Sequence, residues 1–193
     1  MVRILEDMEE YAKENNVPIM MKDGIEFLKD YIKKNNVKNI LELGTAIGYS
    51  SIQMALVDDE IYITTIERDE NRYNEAIKNI KKAGLENQIN AVLDDVFNVE
   101  LDFKFDLIFI DAAKAQNIKF FNKFKNNLTK NGVIITDNLK FHGLVDSEHI
   151  ESRNVRGLVR KIKNYVEFLK ENDEFDTTFI EIGDGISISK KKD

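Results

Sequence analysis

Apolar residues recur at helical spacing in two early stretches: Ile4, Leu5, Met8, Tyr11 and Ala12, then Ile25, Phe27, Leu28, Tyr31 and Ile32. Each set marks one face of a helix. Asn15-Asn16-Val17-Pro18 interrupts the pattern and holds the only proline, so two N-terminal helices are predicted within 1–36. Beyond them the period changes. Short apolar runs at Asn39–Leu43, Tyr62–Glu67, Ile89–Leu93, Phe105–Ile110 and 133–136 read as buried strands. Stretches at 50–57, Glu70–Ala83 (with Gly84 as C-cap), 113–128 and 152–170 read as helices. Such alternation implies parallel strands linked by helical crossovers. The end departs from it, since 177–182, Gly183-Asp184-Gly185 and 186–190 read as an antiparallel hairpin. The expected architecture is one doubly wound α/β domain over 1–193. Helices occupy 1–36, and a Rossmann-like core with seven mostly parallel strands occupies 37–193.

Three fragments fall at predicted strand ends, where open α/β sheets bind ligands. Leu43-Gly44-Thr45-Ala46-Ile47-Gly48-Tyr49-Ser50 follows the first strand, Asp111-Ala112-Ala113-Lys114 the fourth, and Thr136-Asp137-Asn138 closes the fifth. Gly44 and Gly48 permit a tight exit from the strand and close approach of backbone N–H groups to a ligand, although Ala46 stands where a stricter pattern has glycine. Glu67 ends the second strand 23 residues after Gly44, the spacing of an acid that meets ribose hydroxyls. NAD and S-adenosylmethionine (SAM) both carry that ribose. Asp95, in the pair Asp94-Asp95, is positioned to receive an adenine amino group. Asp111, Asp137 and Asn138 present the hard oxygens that Mg²⁺ prefers. Lys114 lies one turn from Asp111, placed to take a proton. Each acid alone also fits a cap or a turn. Their convergence points to metal-assisted group transfer to a hydroxyl.

The first fragment, read from Ile40, resembles the opening motif of the cation-dependent O-methyltransferases, the family of catechol and caffeoyl-CoA O-methyltransferases. Their Gly-Thr-x-x-Gly-Tyr-Ser pattern accommodates Ala46. The segments 105–114 and 132–138 resemble two further motifs of that family. The resemblance implies a class I SAM-dependent methyltransferase fold and SAM rather than NAD. It implies cofactor contacts from Glu42, Gly44, Thr45, Gly48, Tyr49, Ser50, Glu67, Asp95 and Asp111. It also implies Mg²⁺ or another divalent cation on Asp111, Asp137 and Asn138, with Lys114 as the catalytic lysine.

Composition narrows the partners. The chain has 193 residues, no cysteine and two histidines, which excludes disulfides, thiolate zinc sites and cysteine nucleophiles. No apolar stretch approaches the roughly 18–20 residues that span a bilayer, so no membrane partner and a cytoplasmic location are expected. Net charge is −7, but it is unevenly spread. Five lysines and no acid occur from Ala112 to Asn131, a run that includes Lys119 and Lys130. Arg153, Arg156, Arg160 and Lys163 share one face of the predicted 152–170 helix, a pattern that suits a phosphate backbone. There is no tryptophan of the kind often used in catechol pockets. The tail from Phe175 to Ser189 resembles the bacterial branch that contains tRNA 5-hydroxyuridine methyltransferase. The leading expectation is therefore methylation of 5-hydroxyuridine in a tRNA anticodon loop, by a homodimer that pools its basic faces. The alternative is a small catechol or caffeoyl-CoA-type acceptor. His142 follows the third motif and is a candidate for the acceptor pocket.

Overall fold

Alternate residues of the central strands point to opposite sides of one sheet, and each side has its own apolar core. The structure, a computed structural model, describes residues 2–141, 143–146 and 152–192; His142 and His149 lie outside them. The strands are β1 (Asn39–Leu43), β2 (Tyr62–Glu67), β3 (Ile89–Leu93), β4 (Phe105–Ile110), β5 (Leu128–Thr136), β6 (Phe175–Ile180) and β7 (Ile186–Lys191). The helices are α1 (Val2–Glu14), α2 (Lys22–Lys34), α3 (Tyr49–Ala55), α4 (Glu70–Ala83), α5 (Asn117–Phe124) and α6 (Arg153–Lys170). Ile40, Ile63, Leu107, Phe109 and Ile135 face a core built with Met8, Leu28, Ile52 and Ile80 of α1 to α4. Leu41, Leu43, Ile66, Ile108 and Ile134 face the other, built with Phe120, Phe121 and Phe124 of α5 and Tyr165 and Leu169 of α6. Among the described residues no helix is long and apolar enough to cross a membrane.

The sheet order is β3-β2-β1-β4-β5-β7-β6. Pairings from β3 through β5 are parallel, whereas β7 runs antiparallel to both β5 and β6. The chain leaves β1 for one edge of the sheet and returns to the opposite side of β1 at β4. The crevice between the carboxyl ends of β1 and β4 is thus the topological switch point, the usual ligand position in such sheets.

The boundaries that depart furthest from the pattern-based expectation have packing reasons. β5 begins at Leu128 rather than 133, because a register shift between Phe105 and Leu107 carries the ladder through the polar residues 129–131. Gly132 makes this possible: a Cβ there would sit 2.8 Å from the Phe105 carbonyl oxygen. The helix expected over 113–128 is α5 alone, flanked by 3-10 turns at Lys114–Gln116 and Lys125–Asn127. β6 starts at Phe175, whose buried ring meets Phe121 edge-on at 5.0 Å.

Candidate active site

The turn after β1 is shaped by left-handed backbone. Gly44, Ala46 and Gly48 have φ of 103°, 46° and 84°. A Cβ on Gly44 would lie 2.7 Å from the Asp111 carbonyl oxygen and 3.0 Å from the Ala112 Cα. Glycine at 44 therefore brings the first fragment onto the second. The contact is reinforced by the Asp111 N–H, which donates to the Leu43 carbonyl at 3.0 Å. The Gly44 and Thr45 N–H groups both reach the Ile66 carbonyl, at 3.0 and 3.2 Å.

Glu67, buried at the end of β2, accepts from the Ala46 N–H at 2.9 Å on one oxygen. Its other oxygen accepts from the Arg68 and Asp69 N–H groups, each at 2.9 Å. Asp95 follows β3; it accepts from the Phe97 N–H at 2.9 Å and lies 3.8 Å from Arg68. Both acids line a cavity of about 660 Å³ over the switch point, together with Gly44, Thr45, Tyr49, Ser50, Asp111, Lys114 and Asn138. That volume suits a nucleoside-sized ligand with room beside it.

Glu42 and Gly48 are not on the cavity wall. Gly48 packs toward Ala76 of α4. Glu42 is fully buried beneath the turn, where it accepts from the hydroxyls of Ser50, Ser51 and Thr65. Thr65 also pairs with Thr45 at 2.6 Å. Burial pushes the Glu42 carboxyl up, the three hydroxyls oppose this, and the nearby Glu67 charge adds to the rise. Its place is structural support for the turn. Glu42→Ala would strand the hydroxyls of Ser50 and Ser51 and leave Thr65 with Thr45 alone, at a cost of about 2–4 kcal/mol. Thermal unfolding should show that loss, with Glu42→Gln much closer to the parent because an amide oxygen still accepts. Equal melting temperatures for parent and Ala variant would remove this supporting role.

Asp111, Asp137 and Asn138 meet at one point. The Asn138 amide donates to Asp111 at 2.9 Å and to Asp137 at 3.1 Å. Asn138 has φ of 68°, a region asparagine tolerates better than most residues. The C-terminal turn holds it there: Leu139 N–H donates to the Gly185 carbonyl at 3.0 Å and Lys140 N–H to the Asp184 carbonyl at 2.7 Å. Burial raises both carboxyls above their ordinary range. The Asp111 charge raises Asp137 further, and Glu42 raises Asp111 further, while Lys114 lowers both. Excess negative charge around a cluster of oxygen donors fits a divalent cation, once the amide turns its oxygen inward. Lys114, half-buried, stands beside this cluster at the start of the turn after β4.

Part of the wall lies outside the three fragments: Pro18, Ile19, Met20 and Met21, between α1 and α2, also line the cavity. Arg68 after β2, Arg72 of α4, Phe97 after β3 and Phe120 of α5 complete it. Only the pattern break at Pro18 hinted that the 18–21 segment leaves the helical layer.

A family model described as O-methyltransferase matches residues 2–192. The chain belongs to that family. A crystal structure described as a "putative caffeoyl-CoA O-methyltransferase" from Staphylococcus aureus superimposes with a TM-score of 0.92 at 43% identity, covering 97% of this chain and 92% of that one. Among curated relatives, the caffeoyl-CoA O-methyltransferase of Populus kitakamiensis is 26% identical, over 94% of this chain and 81% of the relative. The flavonoid 3',5'-methyltransferase of Vitis vinifera is 27% identical, over 91% and 78%.

These relatives overturn the expectation of a tRNA acceptor, because the acceptors in their names are small aromatic molecules. The surface adds a physical reason. Within the basic 112–131 run, Lys123 pairs with Glu100 and Lys125 with Glu174, so much of that charge is spent locally. Arg153, Arg156, Arg160 and Lys163 are exposed on α6, as a solvated helix face requires, and this carries no RNA by itself. With tRNA goes the reason for expecting a homodimer. The magnesium centre is also corrected. Among the described residues no three His, Cys, Asp or Glu side chains form a group that could hold a metal ion. What the structure presents is two carboxylates and an amide.

Proposed function

We propose that the chain transfers the methyl group of SAM to one hydroxyl of an aromatic acceptor with two adjacent oxygens, of the catechol or hydroxycinnamoyl-ester kind, and that it depends on a divalent cation. The observation that carries this reading is the convergence of Asp111, Asp137 and Asn138 beside Lys114, at the edge of a cavity that the glycine turn also lines. Asp111, Asp137 and Asn138 would hold the cation. When bound, it supplies the positive charge that favours the ionised form of an adjacent hydroxyl.

The remaining work falls to the chain itself. Glu67 and Asp95 orient the adenosine end, and the glycine turn admits the rest of the cofactor close to its backbone. Lys114, once its ammonium has given a proton to solvent, takes the hydroxyl proton as a neutral amine. The acceptor oxygen attacks the sulfonium methyl in line, a C–O bond forms as the C–S bond breaks, and S-adenosylhomocysteine and a methyl ether leave. Walls from residues 18–21 and from Phe97 and Phe120 exclude water and hold both reactants near attack geometry.

The test is methyl transfer from labelled SAM to a catechol, with EDTA and then with Mn²⁺ restored. Labelled methyl ether that vanishes with EDTA and returns with Mn²⁺ is expected. Undiminished transfer in EDTA would remove the cation, and lack of S-adenosylhomocysteine binding in calorimetry would remove the cofactor assignment.

A further inference from the structure

Glu9 has no part in the chemistry above, yet its carboxylate joins Tyr49, on the cavity wall, to Lys22, the residue that follows the 18–21 wall. One oxygen accepts from the Tyr49 hydroxyl at 2.7 Å, and the other lies 2.7 Å from the Lys22 ammonium. Tyr49 lines the cavity and opens α3 on the glycine-turn side. Lys22 opens α2 immediately after Met21, the last residue of that wall. The helix that carries Glu9 is itself anchored, since Met8 and Ala12 are only 3% exposed. The wall it faces is less well fixed: within 18–21 only Met20 is buried, and Met21 is 48% exposed.

We propose that Glu9 is a positioning residue for the cofactor, latching the 18–21 wall to the glycine-turn side so that its release opens the cavity for cofactor entry and exit. The inference rests on the SAM reading above. The two halves of the latch differ in strength. Lys22 is 77% exposed, and an ion pair of that kind contributes little. The Tyr49 bond is partly buried and has a charged acceptor, which makes it the stronger half. Both partners hold the Glu9 carboxyl below the ordinary carboxylate range, Lys22 more than Tyr49, so the charged latch persists at neutral pH.

A graded series follows. Glu9→Ala loses both contacts, Glu9→Gln keeps an acceptor for Tyr49 without the charge, and Lys22→Ala loses only the exposed half. The dissociation constant of S-adenosylhomocysteine should rise about 10-fold in Glu9→Ala, through faster release, and about twofold in Lys22→Ala. The apparent KM for SAM should rise in the same order, and Glu9→Gln, which keeps the acceptor for Tyr49, should recover most of the affinity lost in Glu9→Ala. Amide hydrogen exchange in the peptide 15–21 should accelerate in cofactor-free Glu9→Ala, while protection of β1 and β4 stays at the parent level. Parent-like affinity and exchange in Glu9→Ala would overturn the latch. So would a loss of protection spread evenly over the sheet, which marks a merely structural role. Absence of S-adenosylhomocysteine binding by the unmodified protein would instead overturn the cofactor reading, and the latch with it.

Discussion

Asp137→Asn is expected to yield a protein that is more stable than its parent without cations and that no longer turns over. Asp137 is 4% exposed, and burial together with the Asp111 charge raises its carboxyl above the ordinary range. The folded chain therefore holds this proton more tightly than the unfolded chain does. The stability it contributes is complete below the ordinary carboxylate pKa and is lost as pH rises through the raised value. At pH 8 the ionised carboxylate opposes folding unless a cation offsets it, and an amide of the same shape does not. In EDTA the variant should melt higher than the parent at pH 8, by roughly 2–4 °C for each kcal/mol relieved, with a smaller difference at pH 5. Divalent cation should raise the parent's melting temperature and leave the variant's unchanged. Methyl transfer should fall by about 10²–10³-fold or more, with S-adenosylhomocysteine affinity retained. A variant less stable than the parent at pH 8 would show that the carboxylate is satisfied by the protein alone, and full activity would remove it from the site.

The same crowding explains what the sequence disclosed. Strands β1 to β4 were legible to the residue because each is a short run rich in apolar residues flanked by polar breaks; β1, β2 and β4 are buried almost throughout, and β3, at the sheet edge, only in part. The fragments at their carboxyl ends needed no further information to be placed together, since parallel topology sets them along one edge. β5 was partly hidden because its first half is polar, and its pairing depends on a bulge and on Gly132, which no periodicity shows. Glu42 stood inside the motif, but only three-dimensional packing reveals that it faces Ser50, Ser51 and Thr65 rather than the cavity. Residues 18–21 carry no polar ligand group and no motif, so their role as a wall came entirely from tertiary packing. The acceptor was misjudged for a related reason. A basic face on α6 and a lysine-rich stretch are visible in sequence, whereas Glu100 and Glu174, which pair with Lys123 and Lys125 of that stretch, come from distant segments.

Lys114→Met should lower turnover by about 10²–10⁴-fold while leaving cofactor affinity intact, the effect of losing a positioned proton acceptor. The geometry separates two roles that its charge could play. Lys114 sits close enough to Asp111 and Asp137 to lower both carboxyls, so its removal also changes the electrostatics of the cluster. If that were its whole contribution, every acceptor would suffer equally, and added divalent cation would restore the rate. If it removes the proton, the loss must depend on the acceptor. A nitrocatechol, whose hydroxyl is already ionised at assay pH, needs no base and should react with parent and variant at similar rates. A simple catechol should show the full deficit, and small primary amines supplied in solution should recover part of it. A deficit of the same size for both acceptors, insensitive to amines, would assign Lys114 to charge balance and leave the proton to solvent.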